Sequence, residues 1–233
     1  MWKLIRLEWK KNHTRKYIIN QAIVIAVLGL LLFAMCYYIP IDAEIGMTDS
    51  VPEIENMAVQ IDLLTNLSFL IFTSVMLSSF IINAYKNKTQ NLMFSYPISR
   101  KKIILSQMMA VWIFCVAALF LGKLLIYLLL ALASGVKAGF SLGYNMISVS
   151  FYIQIILKTV LTVTLGFIPL YIGKRLKSSK AAIISSFLLF SVMNGTIGDL
   201  TLRGNTILPV MLFGVSLICG FLTVHNVEKE DVM

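Results

Sequence analysis

Runs of apolar residues long enough to cross a lipid bilayer, separated by loops whose charge alternates in sign, leave this chain very few folds. A helix needs about 20 predominantly apolar residues to span hydrocarbon. Such runs occur at about 18–39, 63–84, 103–133, 146–172, 181–198 and 206–224. The residues are 58% hydrophobic and only 13% charged, and the mean hydropathy is +0.85, well above the range of soluble domains. Inside a bilayer every backbone polar group has to be satisfied within the protein, and helices do this segment by segment. The expected fold is therefore all-α and membrane-integral, one transmembrane domain with six spans.

The loops set the expected orientation. Residues 1–17 carry Lys3, Arg6, Lys10, Lys11, Arg15 and Lys16 against the single acid Glu8. The stretch from Pro40 to Asp62 reverses this, with Asp42, Glu44, Asp49, Glu53, Glu55 and Asp62 and no Lys or Arg. The loop at 85–102 is basic again (Lys86, Lys88, Arg100, Lys101, Lys102), as is 173–180 (Lys174, Arg175, Lys177, Lys180). Basic loops stay in the cytoplasm, so both termini are expected there. The net charge of +9 is thereby explained as an orientation signal. The basic residues flank apolar segments and form no aromatic-interleaved patch on a soluble domain, so nucleic acid is not an expected partner. The first apolar run is too long for a signal peptide and lacks a small-residue exit, so it is read as a span.

Several chemistries are excluded by what the chain lacks. Cys36, Cys115 and Cys219 all lie in apolar runs without a Cys-x-x-Cys pair, and His13 and His225 sit near opposite termini. This offers no metal site, disulfide framework or catalytic triad. Gly173-Lys174 resembles the end of a phosphate-binding loop, but the glycine spacing is absent and Arg175 follows where Ser or Thr is needed. No nucleotide or other cofactor is expected to bind this chain, and no catalytic residue is assigned. Asp62 and Asp199 are expected at helix ends, leaving no carboxylate in mid-span for a proton-coupled carrier.

Two lysines stand in apolar surroundings. Lys123 lies in the outer half of the third run, where its stem can snorkel to the headgroups. Lys158 lies deeper, about a dozen residues into the fourth run, and is the candidate for a hydrated cavity, a buried partner or the transport path. Gly166 and Pro169 predict a kink near the inner end of that run, and Ser191 with Gly195 forms a small-xxx-small pair that permits close helix approach. Trp2, Ile5 and Trp9 recur at helical spacing, so residues 1–17 are expected as an interfacial helix with Trp2 and Trp9 anchored at headgroup level.

The loop from Asn83 to Lys102 holds the most specific signal. Leu92, Met93, Phe94 and Tyr96 are too apolar for a solvated turn, and Pro97 ends any helix they form, with Ser99 placed to cap the next. Pro97-Ile98-Ser99-Arg100-Lys101-Lys102-Ile103 resembles the P-[IV]-S-R-x-x-I signature that precedes the third transmembrane helix in ABC-2 type permeases of ABC transporters. The chain departs from many members in reading Ala84-Tyr85-Lys86 where they carry an acidic residue. The resemblance implies a six-helix exporter permease with an N-terminal interfacial elbow and a short cytoplasmic coupling helix. Leu92, Met93, Phe94, Tyr96, Pro97 and Arg100 would dock on a separate ATP-binding subunit. It further implies two such subunits holding ATP and Mg, a second permease copy or paralogue, a bacterial cell membrane, and export of an amphipathic or antimicrobial peptide, a drug or a lipid. The alternative is a membrane protein without ATP linkage, either a carrier or an immunity or scaffold protein, which needs no partner at Leu92–Tyr96.

Overall fold

In a computed structural model, residues 2–12, 14–38, 53–82, 100–136, 148–194, 196–197, 200–201 and 207–225 are described. Helix α1 (Trp2–Lys11) is followed by α2 (Thr14–Tyr38) and by α3 (Glu53–Leu77), which closes in a π-helical turn, Ser78–Ile82. Then come α4 (Arg100–Val136), α5 (Val149–Leu165), α6 (Phe167–Arg175), α7 (Ser179–Asn194) and α8 (Ile207–His225). A two-residue antiparallel pair, Thr196–Ile197 with Leu200–Thr201, stands between α7 and α8. Five segments are long and apolar enough to cross a membrane: 14–34, 60–82, 101–132, the joined α5–α6 at 149–175, and 208–225. The chain is thus an all-α, multi-pass membrane protein. Helix α7, the expected fifth span, has 16 residues. At 1.5 Å per residue it measures about 24 Å, short of a core about 30 Å thick.

Helix α3 is the hub, packed against α2, α4, α5 and α7. Ile104, Met108, Val111, Cys115 and Leu119 recur every three or four residues, which puts them on one stripe of α4. That stripe meets Phe69, Met76, Leu77, Phe80 and Ile81 of α3 and its π turn, with Val163, Leu170 and Ala182 closing the core. A second cluster nearer the opposite end joins Leu28 and Leu32 of α2, Ile61 of α3, Ile126, Tyr127 and Leu130 of α4, and Ile155 of α5. Cys115 is buried in the first cluster, with its Sγ 3.9 Å from the Met76 Sδ.

Helix α4 is longer than a bilayer core requires, and α1 packs on it. At 37 residues α4 is about 55 Å long, and α1 lies along its first turns. The Trp9 indole N–H donates to the Ala110 carbonyl at 3.0 Å. Glu8, buried beside it, accepts from Gln107 at 3.4 Å and from Asn12 at 3.2 Å. Ile5 is the other buried residue of α1, while Trp2 points outward. Trp9 therefore spends its polar handle on the protein.

The kink expected from Gly166 and Pro169 separates α5 from α6. Gly166 takes the bond of a tightened turn, its N–H donating to the Val163 carbonyl at 3.1 Å. A Cβ there would stand 2.8 Å from the Thr73 methyl, so the bend also lets α5 lie against α3. Helix α6 ends in a Schellman arrangement: the Ser178 N–H donates to the Gly173 carbonyl and the Lys177 N–H to the Lys174 carbonyl, with Lys177 at φ 48°. The turn returns α7 directly onto α6. Lys174 and Arg175 thus belong to a helix, where a basic loop was expected at 173–180. Lys174 is buried and donates to the Thr223 carbonyl at 3.1 Å, near the negative end of the α8 dipole.

Candidate functional site: one carboxylate between two lysines

The hydrophobic faces that assemble α3, α4 and α5 also bring together three ionisable side chains. Helix α3 begins at Glu53, well before Asp62, and the segment that was expected as outer loop continues without interruption into the span. Asp62 is therefore inside a helix and not at its end. It stands one turn of register from Thr65 and Asn66, next to the buried Ile61. Lys123 on α4 is nine residues from Leu132, and Lys158 on α5 is nine residues from Val149. Helix α4 runs opposite to α3 and α5, so both lysines reach a similar depth measured from the same end of the bundle.

Asp62 takes one lysine on each oxygen. The Lys123 ammonium is 2.8 Å from Oδ1 and the Lys158 ammonium is 2.5 Å from Oδ2. The Lys123 side chain is 0% exposed and that of Asp62 16%, whereas the Lys158 side chain is 53% exposed. Lys123 does not snorkel: its Nζ is turned inward onto Asp62, whose carboxylate offsets the cost of removing the ammonium from water. Lys158 reaches the same carboxylate from the surface of the bundle, in a stretch of α5 that also exposes Ile153, Gln154, Ile156 and Leu157.

Other buried polar groups of the spans mostly satisfy themselves along their own helix. Thr65, Thr73, Ser74, Thr162, Thr164 and Thr223 each donate to the carbonyl four residues back. The Asn66 Oδ1, one turn after Asp62, and the Thr159 hydroxyl, next to Lys158 in sequence, are buried with no hydrogen-bond partner among the described residues.

The remaining expected site residues fall elsewhere. Leu92, Met93, Phe94, Tyr96 and Pro97 lie outside the described residues, and of Arg100 only the backbone is described, as the first residue of α4. Ser191 is exposed on α7, and Gly195 lies outside the described residues. Asp62 was missed as a site residue. Its signal was present in the chain: two lysines within apolar runs call for a counter-charge, and Asp62 is the acid nearest the apolar part of the second span.

Among characterised and uncharacterised chains, the sequence is similar to the uncharacterized protein YcbO of Bacillus subtilis, with 24% identity over 98% of this chain and 99% of that one. No family model matches the chain. No solved structure matches it.

Proposed function

We propose that this protein is the membrane-spanning subunit of an ATP-driven exporter of the ABC-2 permease type. The observation that carries the reading is Pro97-Ile-Ser-Arg100, placed between the second and third long apolar helices and directly ahead of the helix that begins at Arg100. Helix α1 lying along α4 supports an elbow, and the π turn at Ser78–Ile82, packed by Tyr17 and leading into the basic loop, supports a mechanical link between that loop and the bundle. Energy enters from outside the chain: ATP and Mg are held by two separate ATP-binding subunits, and this chain performs no hydrolysis itself. Leu92, Met93, Phe94, Tyr96, Pro97 and Arg100 form the docking segment. The uncovered apolar surfaces of α2 and α8 are met by lipid and by a second permease, a copy or a paralogue. The cargo class is an amphipathic molecule, whether peptide, drug or lipid, moved out across a bacterial cell membrane.

In this reading α7 completes a sixth span and both termini are cytoplasmic. In a background without Cys36, Cys115 and Cys219, a cysteine at Ser50 should react with an impermeant maleimide from outside intact cells. Cysteines at Ser95 and Ser178 should react only after permeabilisation. Labelling of Ser178 from outside would refute the six-span arrangement. Coupling is tested on the complex itself: protein purified from its native membrane in mild detergent should carry an ATP-binding protein and hydrolyse ATP, and a preparation with neither would refute the reading.

A further inference from the structure

The three ionisable groups at the centre of the bundle do not balance. One carboxylate faces two ammonium groups, and no other acidic side chain among the described residues joins them. The surplus positive charge resides at Lys158, since Lys123 is sealed by the protein while more than half of the Lys158 side chain remains exposed. A lysine at a helix centre costs about 2.5–3.5 kcal/mol on insertion scales, and sharing Asp62 with a second lysine leaves much of that unrecovered. A ligand suited to this cluster brings negative charge to Lys158 from the bundle's surface. The exposed surface of α5 on either side of Lys158 is mostly apolar, with Ile153, Ile156 and Leu157 exposed and Gln154, also exposed, one turn before it. A hydrated inorganic ion gains nothing from such walls, whereas an acidic headgroup with a hydrocarbon tail matches both features at once.

We propose that Lys158, held in place by Asp62, is a binding site for the oxyanion of an acidic amphiphile, a phosphate or carboxylate attached to an apolar chain. Asp62 acts as a positioning residue: it fixes the Lys158 ammonium without cancelling the charge of the cluster, because Lys123 already balances one negative unit. The inference rests on the ion-paired geometry and holds with or without an ATP-driven partner. The two sources of such an oxyanion are bilayer lipid and a soluble anion.

The test is binding of phosphatidylglycerol to the purified full-length protein in neutral detergent, followed by native mass spectrometry, with diacylglycerol as the control lacking the phosphate. Lys158→Met should weaken phosphatidylglycerol binding at least about fivefold, the factor that corresponds to the attraction of one lysine for an anionic headgroup. Lys158→Arg should keep it, and diacylglycerol should not distinguish the three proteins. Lys158→Met leaves Asp62 paired to Lys123 and should fold, which its thermal midpoint checks. If inorganic phosphate displaces the lipid from the wild type, the headgroup alone is recognised. If it does not, the acyl chains are part of the ligand. Equal phosphatidylglycerol affinity in wild type and folded Lys158→Met would overturn the proposal, as would loss of binding in folded Lys158→Arg.

Discussion

Asp62→Asn should destabilise the folded protein by about 3–5 kcal/mol, the usual consequence of removing one partner of a buried charge pair. The loss comes from Lys123, which is 0% exposed and has its ammonium 2.8 Å from Asp62. An amide cannot neutralise it. Lys123→Met should cost far less, because a side chain of similar length fills the space and Asp62 keeps Lys158 at its other oxygen. Lys158→Met should cost least, since that side chain is half exposed and its removal leaves one carboxylate opposite one ammonium. The order of thermal midpoints in mild detergent is therefore Lys158→Met above Lys123→Met above Asp62→Asn. Combining Asp62→Asn with Lys123→Met should recover most of the loss, because neither charge then remains buried alone. A melting point for Asp62→Asn equal to that of the wild type would show that the cluster does not hold α3, α4 and α5 together.

The second large effect is expected at Gly173, where α6 and α7 meet behind the Schellman turn. A Cβ at that position would stand 2.6 Å from the Ala182 Cβ, 2.8 Å from the Ile82 Cδ1 and 3.2 Å from the Ala182 Cα. Alanine gains about 1 kcal/mol over glycine as a helix former, but overpacking a closed contact costs about 1–3 kcal/mol. Here part of the obstruction is backbone, which cannot swing aside, so overpacking wins. Gly173→Ala should lower the thermal midpoint and Gly173→Val should lower it further. Ala182→Gly should partly rescue Gly173→Ala, since it removes the nearest atom and leaves mainly the flexible end of Ile82. An unchanged midpoint in Gly173→Val would mean that α6 and α7 are not in this close contact.

Much of this architecture is legible in the sequence because membrane helices advertise themselves by length and hydropathy. The placing of α2 and of the joined α5–α6 on apolar runs, the bend at Gly166 and Pro169, and the burial of Cys115 follow from local composition and backbone chemistry. What local reading misses is register and partnership. The segment from Glu53 to Asp62 carries three acids and reads as outer loop with room for a separate short helix around Glu53 to Gln60. Yet it is one helix with the span, because no glycine or proline stops it after Pro52 and it continues the winding of the apolar stretch beyond. That continuation moves Asp62 from an outer margin into a helix facing α4 and α5. Lys123 likewise reads as a snorkelling residue when its span is considered alone, since its stem is long enough to reach a headgroup. Only the antiparallel packing of α4 between α3 and α5 reveals that a carboxylate is closer. Trp9 likewise donates its indole N–H to a carbonyl of α4, a partner that α1 read alone does not reveal.

The central claim is that this bundle is driven through its basic loop by a separate ATPase, and replacing Leu92 and Phe94 together by Asp tests it most directly. Seating two carboxylates in an apolar docking groove is costly, whereas a loop exposed to water tolerates them. Protein carrying both substitutions should insert and melt like the wild type but release the ATP-binding subunit on purification and lose the associated ATP hydrolysis. An ATP-binding protein retained by the variant as firmly as by the wild type, with ATP hydrolysis unchanged, would contradict the account.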